Sequence, residues 1–184
     1  MQQKKKAEIM DEGAMRRAVN RISYEITERN HGASNIVLAG VRTRGVFLAQ
    51  RMADKIEDVE HIRPPVIPLD ITGFRDDLQN RPEAVKLPEI EDIAHKTVII
   101  VDDVLSTGRT VRAAMEAVLH AGRAQCIQLA ALIDRGHREL PIRPDFVGKN
   151  LPTSRSETVQ VYIKEYDGRD CVVILDGEQT QKER

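Results

Sequence analysis

The sequence predicts an α/β fold with a mostly parallel central sheet flanked by helices. Segments with strand-like composition alternate along the chain with segments of helical periodicity, a pattern typical of strand–helix–strand units. One run, Val98–Thr110, joins β-favouring residues directly to a helix through a short polar loop. The 184 residues suffice for one domain with its own core, and we therefore predict a single domain over 1–184.

In the first part of the chain, residues 1–9 are expected to form a frayed basic tail. Asp11 is a candidate cap for a helix to about Arg29, since apolar residues recur on one face at helical spacing. A buried strand follows at 36–39, then a loop at 40–45 and a helix from about 46 to 56.

The second part repeats the alternation after a long interruption. The polar segment 72–95 lacks clear periodicity, as lids and surface loops do. The remaining expected elements are strands at 66–71, from 98, at 127–133, 159–163 and 171–175, a helix ending near Gly122, and a polar tail at 176–184.

The composition excludes few classes of function, but it indicates what to expect for charge, cysteines and localisation. The net charge is −1, so any nucleic-acid site has to be a local patch. Cys126 and Cys171 lack the spacing of a metal site and are too few for a disulfide framework. The chain shows neither an apolar stretch long enough to span a membrane nor an apolar region behind its Lys4–Lys6 run, and a cytoplasmic protein is expected.

The most informative segment carries an acidic pair followed by hydroxyls and glycine. Asp102 and Asp103 would point to opposite faces within a strand, so a shared ligand places them at the strand's carboxyl end, where the chain turns. The loop that follows can form an anion nest beside a helix N-terminus. The combination describes a ribose 5-phosphate site; the alternative is a buried strand with an ordinary acidic turn.

This segment resembles the signature of the type I phosphoribosyltransferases, which bind phosphoribosyl pyrophosphate (PRPP). The resemblance implies that family's fold, with the acidic pair on the ribose hydroxyls and the loop on the 5-phosphate. The implied PRPP-binding residues of this segment are Asp102, Asp103, Val104, Leu105, Ser106, Thr107, Gly108, Arg109 and Thr110.

A second phosphate loop is expected after the first core strand, at Ala39–Gly45. On the family pattern Thr43 and Arg44 would bind pyrophosphate, and Arg44 joins Asp102 and Asp103 as a candidate catalytic residue. An ordinary glycine-rich turn with solvated arginines is the alternative for this segment alone.

The family's mobile loop, which closes over PRPP, matches approximately 72–90, with Arg75 the candidate contact; a surface loop is the alternative. Mg²⁺ is expected to arrive largely with the substrate, without an all-protein metal site.

The base specificity is expected to be for a pyrimidine. The 6-oxopurine enzymes of the family carry an acidic residue where this chain has Ser106, and a serine cannot perform the same proton transfer. Relatives in the family often carry an aromatic residue at this position of the loop.

A narrower resemblance covers most of the chain. Residues 132–143 and 148–154 match stretches peculiar to bifunctional regulators that attenuate pyrimidine operons and make UMP from uracil and PRPP. The resemblance implies a hood over the base at approximately 134–156, a homodimer or homotetramer, and binding of a pyrimidine-operon mRNA loop in the presence of UMP.

On matching positions, the implied RNA-binding residues are Arg21, Arg29, Arg143 and Arg155, with Arg17 adding charge one turn before Arg21. Solvated or ion-paired surface arginines are the alternative. Asn20 and Tyr24 depart from the family pattern on this helix.

The sequence therefore predicts an RNA-binding transcription attenuator with uracil phosphoribosyltransferase activity. Two alternatives remain: a regulator with negligible catalysis, and a purine phosphoribosyltransferase without RNA function.

Overall fold

The computed structural model describes residues 5–76 and 93–176. Eight strands and four α-helices follow one another in these ranges, with one 3₁₀ turn at Thr72–Phe74. The elements are β1 (Lys5–Met10), α1 (Glu12–Arg29), β2 (Ile36–Val41), α2 (Arg44–Glu60), β3 (Val66–Leu69), β4 (Thr97–Leu105), α3 (Arg109–Ala121), β5 (Cys126–Asp134), β6 (Phe146–Asn150), β7 (Glu157–Tyr162), α4 (Lys164–Asp167) and β8 (Cys171–Asp176).

The main sheet has five parallel strands in the order β3-β2-β4-β5-β6. β4 lies at its centre, and its first six residues are all buried. Strands covered on both faces require near-continuous apolar runs, which explains the composition of β2 and β4. The predicted fold class is confirmed.

Helices cover both faces of this sheet. Leu38, Ile99 and Val101 pack with α1 and α2, whereas Val37, Val98 and Ile100 pack with α3. The two sets alternate along β2 and β4, because successive side chains of a strand point to opposite faces. Asp11 caps α1 as predicted, its Oδ1 accepting from the N–H of Ala14 at 2.7 Å.

A second, smaller sheet joins the two ends of the described chain. It has three antiparallel strands in the order β1-β8-β7. The expectation of a frayed tail over residues 1–9 is therefore wrong for residues 5–9, which belong to β1. Their charged side chains gave no apolar signal, and β1 is formed through its pairing with β8.

The segment predicted as a hood, 134–156, includes a strand that the sequence did not indicate. It contains β6, which is the edge strand of the main sheet, while the small sheet is built from β1, β7 and β8. β6 has only one buried residue, Phe146, so its composition did not indicate a strand.

The predicted mobile segment at 72–90 is described only in part. Residues 72–74 form the 3₁₀ turn, and residues 77–92 lie outside the described ranges. No helix in the described part of the chain is long and apolar enough to cross a membrane.

Candidate active site

A polar cavity of about 250 Å³ opens at the carboxyl ends of the central strands. This edge of an open parallel sheet is where ligands bind in α/β folds. The residues that line the cavity come from the ends of β2 and β4, the turn after β3 and the start of α3: Val41, Arg42, Asp70, Ile71, Thr72, Arg75, Asp102, Asp103, Val104 and Thr110.

The predicted acidic pair lines this cavity, but it lies within β4 rather than after it. β4 continues to Leu105 beside β5, whereas the pairing with β2 stops at Val101. The two carboxylates therefore border the space left beyond the end of β2. Both side chains reach one cavity because β2 ends before β4 does. The local sequence around the acidic pair does not indicate where β2 ends.

The carboxyl groups sit in an unfavourable environment for two charges. Asp102 is only 6% exposed. Burial raises the pKa of Asp102 well above its ordinary value, and the neighbouring charge of Asp103 raises it further. Burial also raises the pKa of Asp103, although the N–H of Val104 (2.8 Å to Oδ1) and the charge of Arg44 oppose the shift. A cation or a set of hydroxyl donors would relieve this buried charge.

The loop after β4 leads into α3. Gly108 precedes the helix with a φ of 92°, a left-handed conformation that favours glycine. Thr107 Oγ1 accepts from the N–H of Arg109 at 3.3 Å. The side chain of Arg109 bonds Glu139 at 2.7 Å and Asp76 at 3.1 Å. The loop thus has the helix-terminus geometry that binds anions.

The loop after β2 is held tightly against β4. A Cβ on Gly45 would lie 2.4 Å from the carbonyl oxygen of Val101, so only glycine fits this approach. The peptide bond between Arg42 and Thr43 is cis. Arg42 lines the cavity, whereas the Arg44 guanidinium binds Asp167 through two hydrogen bonds of 2.9 and 2.7 Å and lies over the Tyr166 ring.

The contact between Arg44 and Asp167 was not predicted. Asp167 follows β7 in a short helix, far from Arg44 in sequence, and no local pattern pairs the two residues. Hydrogen bonds from Arg44 hold the pKa of Asp167 below its ordinary value. The predicted pyrophosphate arginine is therefore oriented by α4, the short helix that connects two strands of the small sheet.

Two residues of the segment after β3 face the same cavity. Arg75, the candidate contact for the mobile loop, lines it, and its charge opposes the rise in the pKa of Asp102. Asp70 was not among the predicted site residues. The N–H of Thr72 donates to its Oδ1 at 3.0 Å and lowers the pKa of Asp70.

Arg138, which was also not among the predicted site residues, lies behind the loop after β4. Its guanidinium donates to Asp134 Oδ2 at 2.6 Å and to the carbonyl oxygens of Ser106 (2.8 Å) and Ile142 (2.7 Å). The sequence marks it only as one of several arginines in a polar stretch.

The predicted RNA-binding arginines lie along α1 and the segment next to β6. Arg21 donates to the carbonyl oxygens of Val147 (2.9 Å) and Gly148 (2.7 Å) and also pairs with Glu25. Arg29 pairs with Asp145 at 2.9 Å and lies over the Phe146 ring. A groove of about 280 Å³ beside them is lined by Arg17, Arg21 and Lys149 among others.

The other two predicted arginines are solvent-exposed. Arg143 precedes Asp145, the partner of Arg29, and is therefore close to the α1 side of β6. Arg155 lies in the loop before β7. Exposed guanidinium groups of this kind are able to contact phosphates.

The described residues contain no group of three or more His, Cys, Asp or Glu side chains arranged to hold a metal ion. The cavity nevertheless offers carboxylate oxygens from Asp102 and Asp103. Hard oxygen donors of this type fit Mg²⁺, which normally keeps several waters and binds through one or two carboxylates plus substrate phosphates.

The chain has a phosphoribosyltransferase fold, because residues 6–174 match the phosphoribosyl transferase domain family. Solved structures agree on the fold. A hypoxanthine phosphoribosyltransferase of Trypanosoma cruzi superposes with a TM-score of 0.72 at 16% identity, over 95% of this chain and 98% of that one. A purine phosphoribosyltransferase of Pyrococcus horikoshii superposes with a TM-score of 0.60 at 22% identity, over 78% and 85%.

Curated relatives narrow the class. The Bifunctional protein PyrR of Brevibacillus brevis is 56% identical over 174 residues, which cover 92% of this chain and 96% of the relative. That of Bacillus pumilus is 54% identical over 176 residues, covering 93% and 98%. The chain therefore belongs to the PyrR family of phosphoribosyltransferases. The predicted resemblance is confirmed.

Proposed function

We propose that this protein forms UMP and pyrophosphate from uracil and PRPP, and that it binds a pyrimidine-operon mRNA loop when UMP is bound. The observation that carries the catalytic part is one cavity bordered by an acidic pair, a helix-terminus loop and the loop after β2. Membership of the PyrR family supports both parts.

The acidic pair would bind the ribose. Two adjacent ribose hydroxyls can donate to the carboxylates of Asp102, which is buried, and Asp103, which is half-buried, and hydrogen bonds to charged acceptors are the stronger kind. The 5-phosphate would then lie on the N–H groups at the start of α3. A rigid hold at both ends of the ribose fixes the anomeric carbon and reduces the entropic part of the barrier.

In the reaction, a bond forms between the uracil nitrogen N1 and the anomeric carbon while the bond from that carbon to pyrophosphate breaks. The electron pair of the broken bond leaves with pyrophosphate, and the proton of N1 is released to water. Arg42 and Arg75 line the cavity, and the charge of Arg44 acts on Asp103, so positive charge is available to the departing pyrophosphate.

Mg²⁺ is the proposed cofactor. Asp102 and Asp103 would hold it through its waters, and when bound it would supply positive charge to the leaving pyrophosphate. Asp102 and Asp103 would orient the ribose and the metal's waters, so the ion is held mainly by the substrate.

The pyrimidine preference is supported by Ser106, which carries no titratable group near neutral pH to serve a purine ring nitrogen. Residues 134–142 pack against this loop, with the N–H of Arg135 bonded to the Leu105 carbonyl at 3.0 Å. Backbone groups of this segment are the candidates to contact the carbonyl and N–H edges of uracil.

The RNA surface would comprise the arginines of α1 and the segment 143–155. Arg21 and Arg29 are anchored by contacts with Val147, Gly148 and Asp145, which keeps their charges on one face. We further propose that the protein is cytoplasmic and forms a homodimer or homotetramer. Such an oligomer would place two or more of these RNA-binding faces in one particle. Sedimentation equilibrium tests the oligomeric state.

The catalytic proposal is tested by a transfer assay with PRPP and Mg²⁺, comparing uracil, orotate, hypoxanthine and guanine. UMP formation from uracil alone is expected. Turnover of a purine base would contradict the proposal, and the absence of any turnover would leave a PRPP- and UMP-responsive regulator as the better account.

The RNA proposal is tested by titrating pyrimidine-operon leader RNA with and without UMP at several salt concentrations. Arg143→Ala is expected to weaken binding and to reduce the slope of log affinity against log salt by about 1, since one phosphate contact is lost. Transfer activity should be unchanged. The control is Arg63→Ala, an arginine paired with Asp54 and Glu57 away from this face. Binding unaffected by UMP or by Arg143→Ala would contradict the assignment.

A further inference from the structure

Three consecutive carbonyl oxygens, at the end of β4 and in the loop after it, face one neighbouring segment. Leu105 O accepts from the N–H of Arg135 at 3.0 Å, and Thr107 O accepts from the N–H groups of Glu139 (3.0 Å) and Leu140 (3.1 Å). Between them, Ser106 O accepts from the Arg138 guanidinium at 2.8 Å. Residues 135–142, named here the backing segment, thus satisfy three consecutive carbonyl groups.

This arrangement determines where the opposite groups of the same peptides point. In a planar trans peptide, the carbonyl of one residue and the N–H of the next are antiparallel. The cis bond among the described residues is between Arg42 and Thr43, so the peptides of this loop are trans. The N–H groups of Ser106, Thr107 and Gly108 therefore point away from the backing segment.

These donors are also suited to a ligand. Among the described residues, the N–H groups of Thr107 and Gly108 donate to no acceptor. They precede α3, whose N-terminus adds a positive field on the same side. A row of N–H groups of this kind binds an anion only when the peptides hold their orientation before the ligand arrives.

Among the donors to these three carbonyl groups, Arg138 is the one side chain. The other carbonyls are satisfied by backbone N–H groups, whereas Ser106 O depends on its guanidinium. That group is itself oriented by Asp134 (2.6 Å) and by the carbonyls of Ile142 (2.7 Å) and Gly136 (3.3 Å). Its side chain is 22% exposed, so solvent competes little for these bonds.

From these contacts we infer that Arg138 is a positioning residue for the 5-phosphate: by holding the Ser106 carbonyl, it directs the Thr107 N–H towards the phosphate of PRPP and of UMP. The inference rests on the proposed function, since it assumes that this loop binds a phosphate. It adds a residue that would contact neither the substrate nor the reacting atoms.

The experiment compares UMP with uridine, which share the base and ribose and differ in the phosphate. Equilibrium binding of both ligands is measured by calorimetry or NMR titration for the wild type and for Arg138→Lys, with Mg²⁺ held constant. A lysine keeps the positive charge but cannot reach Asp134, Ser106 and Ile142 together.

The dissociation constant of UMP is expected to rise about tenfold in Arg138→Lys, while that of uridine changes less than about twofold. Equal weakening of both ligands, or no change for UMP, would overturn the inference. A wild type that binds UMP no more tightly than uridine would instead contradict the phosphate site itself, and with it the proposed function.

Two further variants keep the test decisive. Arg63→Ala, which removes another multiply paired arginine, should leave both constants unchanged. If Arg138→Lys does not fold, Asp134→Asn removes the charged acceptor that orients Arg138. UMP binding should then weaken by about threefold with uridine unaffected.

Discussion

The two loops that border the cavity follow adjacent central strands and precede helices, yet they are held in different ways. The loop after β4 is supported from behind by backbone donors of residues 135–142 and by Arg138. The loop after β2 is pressed against β4 through Gly45, and Arg44 beside it is held by Asp167 of α4, the short helix between β7 and β8.

The difference indicates that the conformations of the two loops depend on different kinds of interaction. Three hydrogen bonds from backbone N–H groups restrict the conformation of the loop after β4, as a preorganised phosphate site requires. The loop after β2 depends on a side-chain pair with a separate sheet, so the orientation of Arg44 is coupled to β7, α4 and β8. Substitutions should therefore affect the two loops unequally.

The largest expected effect comes from the acidic pair between the loops. Asp103→Asn should reduce uracil phosphoribosyl transfer by about 100-fold or more, because a buried anion facing the ribose is removed. The fold should persist, since the amide oxygen can still accept from Val104 N–H. Steady-state transfer rates check this, with exposed Asp58→Asn as the matched control; wild-type turnover would refute the site assignment.

The difference in the free energy of unfolding between the same variant and the wild type should depend on pH. Burial raises the pKa of Asp103 in the folded state, so its contribution to stability is present at acid pH and is lost as the pH rises through that pKa. Asp103→Asn should therefore be more stable than the wild type at neutral pH, and the gain should vanish below the ordinary value of 3.8. Urea unfolding at several pH values measures this; a variant less stable at pH 7 would contradict the expected sign.

The glycines of the two loops offer the next comparison. Gly45→Ala should lower the free energy of unfolding by about 3 kcal/mol, since its Cβ would lie 2.4 Å from a backbone oxygen of β4. Gly108→Ala meets nothing closer than 3.4 Å and should cost only about 1 kcal/mol through its positive φ. Urea unfolding of both variants checks the order, and the reverse order would contradict the different packing of the two loops.

The side-chain pair between Arg44 and Asp167 offers a further comparison. Asp167→Asn should lower the free energy of unfolding by about 1.5–3 kcal/mol at neutral pH, because a charged, largely buried acceptor of two Arg44 donors is lost. The pKa of Asp167 is depressed in the folded state, so the difference should be present above its ordinary value of 3.8 and disappear as the pH falls below it.

The control for that variant is Glu165→Gln, which removes a more exposed partner of Arg51 in the same short helix. Its cost should be about 0.5 kcal/mol, the usual size for an exposed pair. Equal losses for the two variants would show that the Arg44–Asp167 pair has no special part in holding the loop.

Much of the fold followed from local signals. Asp11 before an apolar periodicity predicted α1, and the β-favouring run at Val98 predicted β4 with its loop and helix. β1 and β6 were not predicted, because their residues are mostly exposed and their strand conformation depends on pairing with β8 and β5.

The sequence by itself determined the family, the parallel sheet and the acidic pair with its hydroxyl-rich loop, because these depend on residue types at close spacing. Only the tertiary structure decided that β4 continues past β2 and leaves a cavity, that Arg44 meets Asp167, and that Arg138 supports the Ser106 carbonyl. These contacts join residues more than 30 positions apart, and at such separations the pairing is selected by packing and hydrogen-bond satisfaction across the whole fold rather than by any local preference.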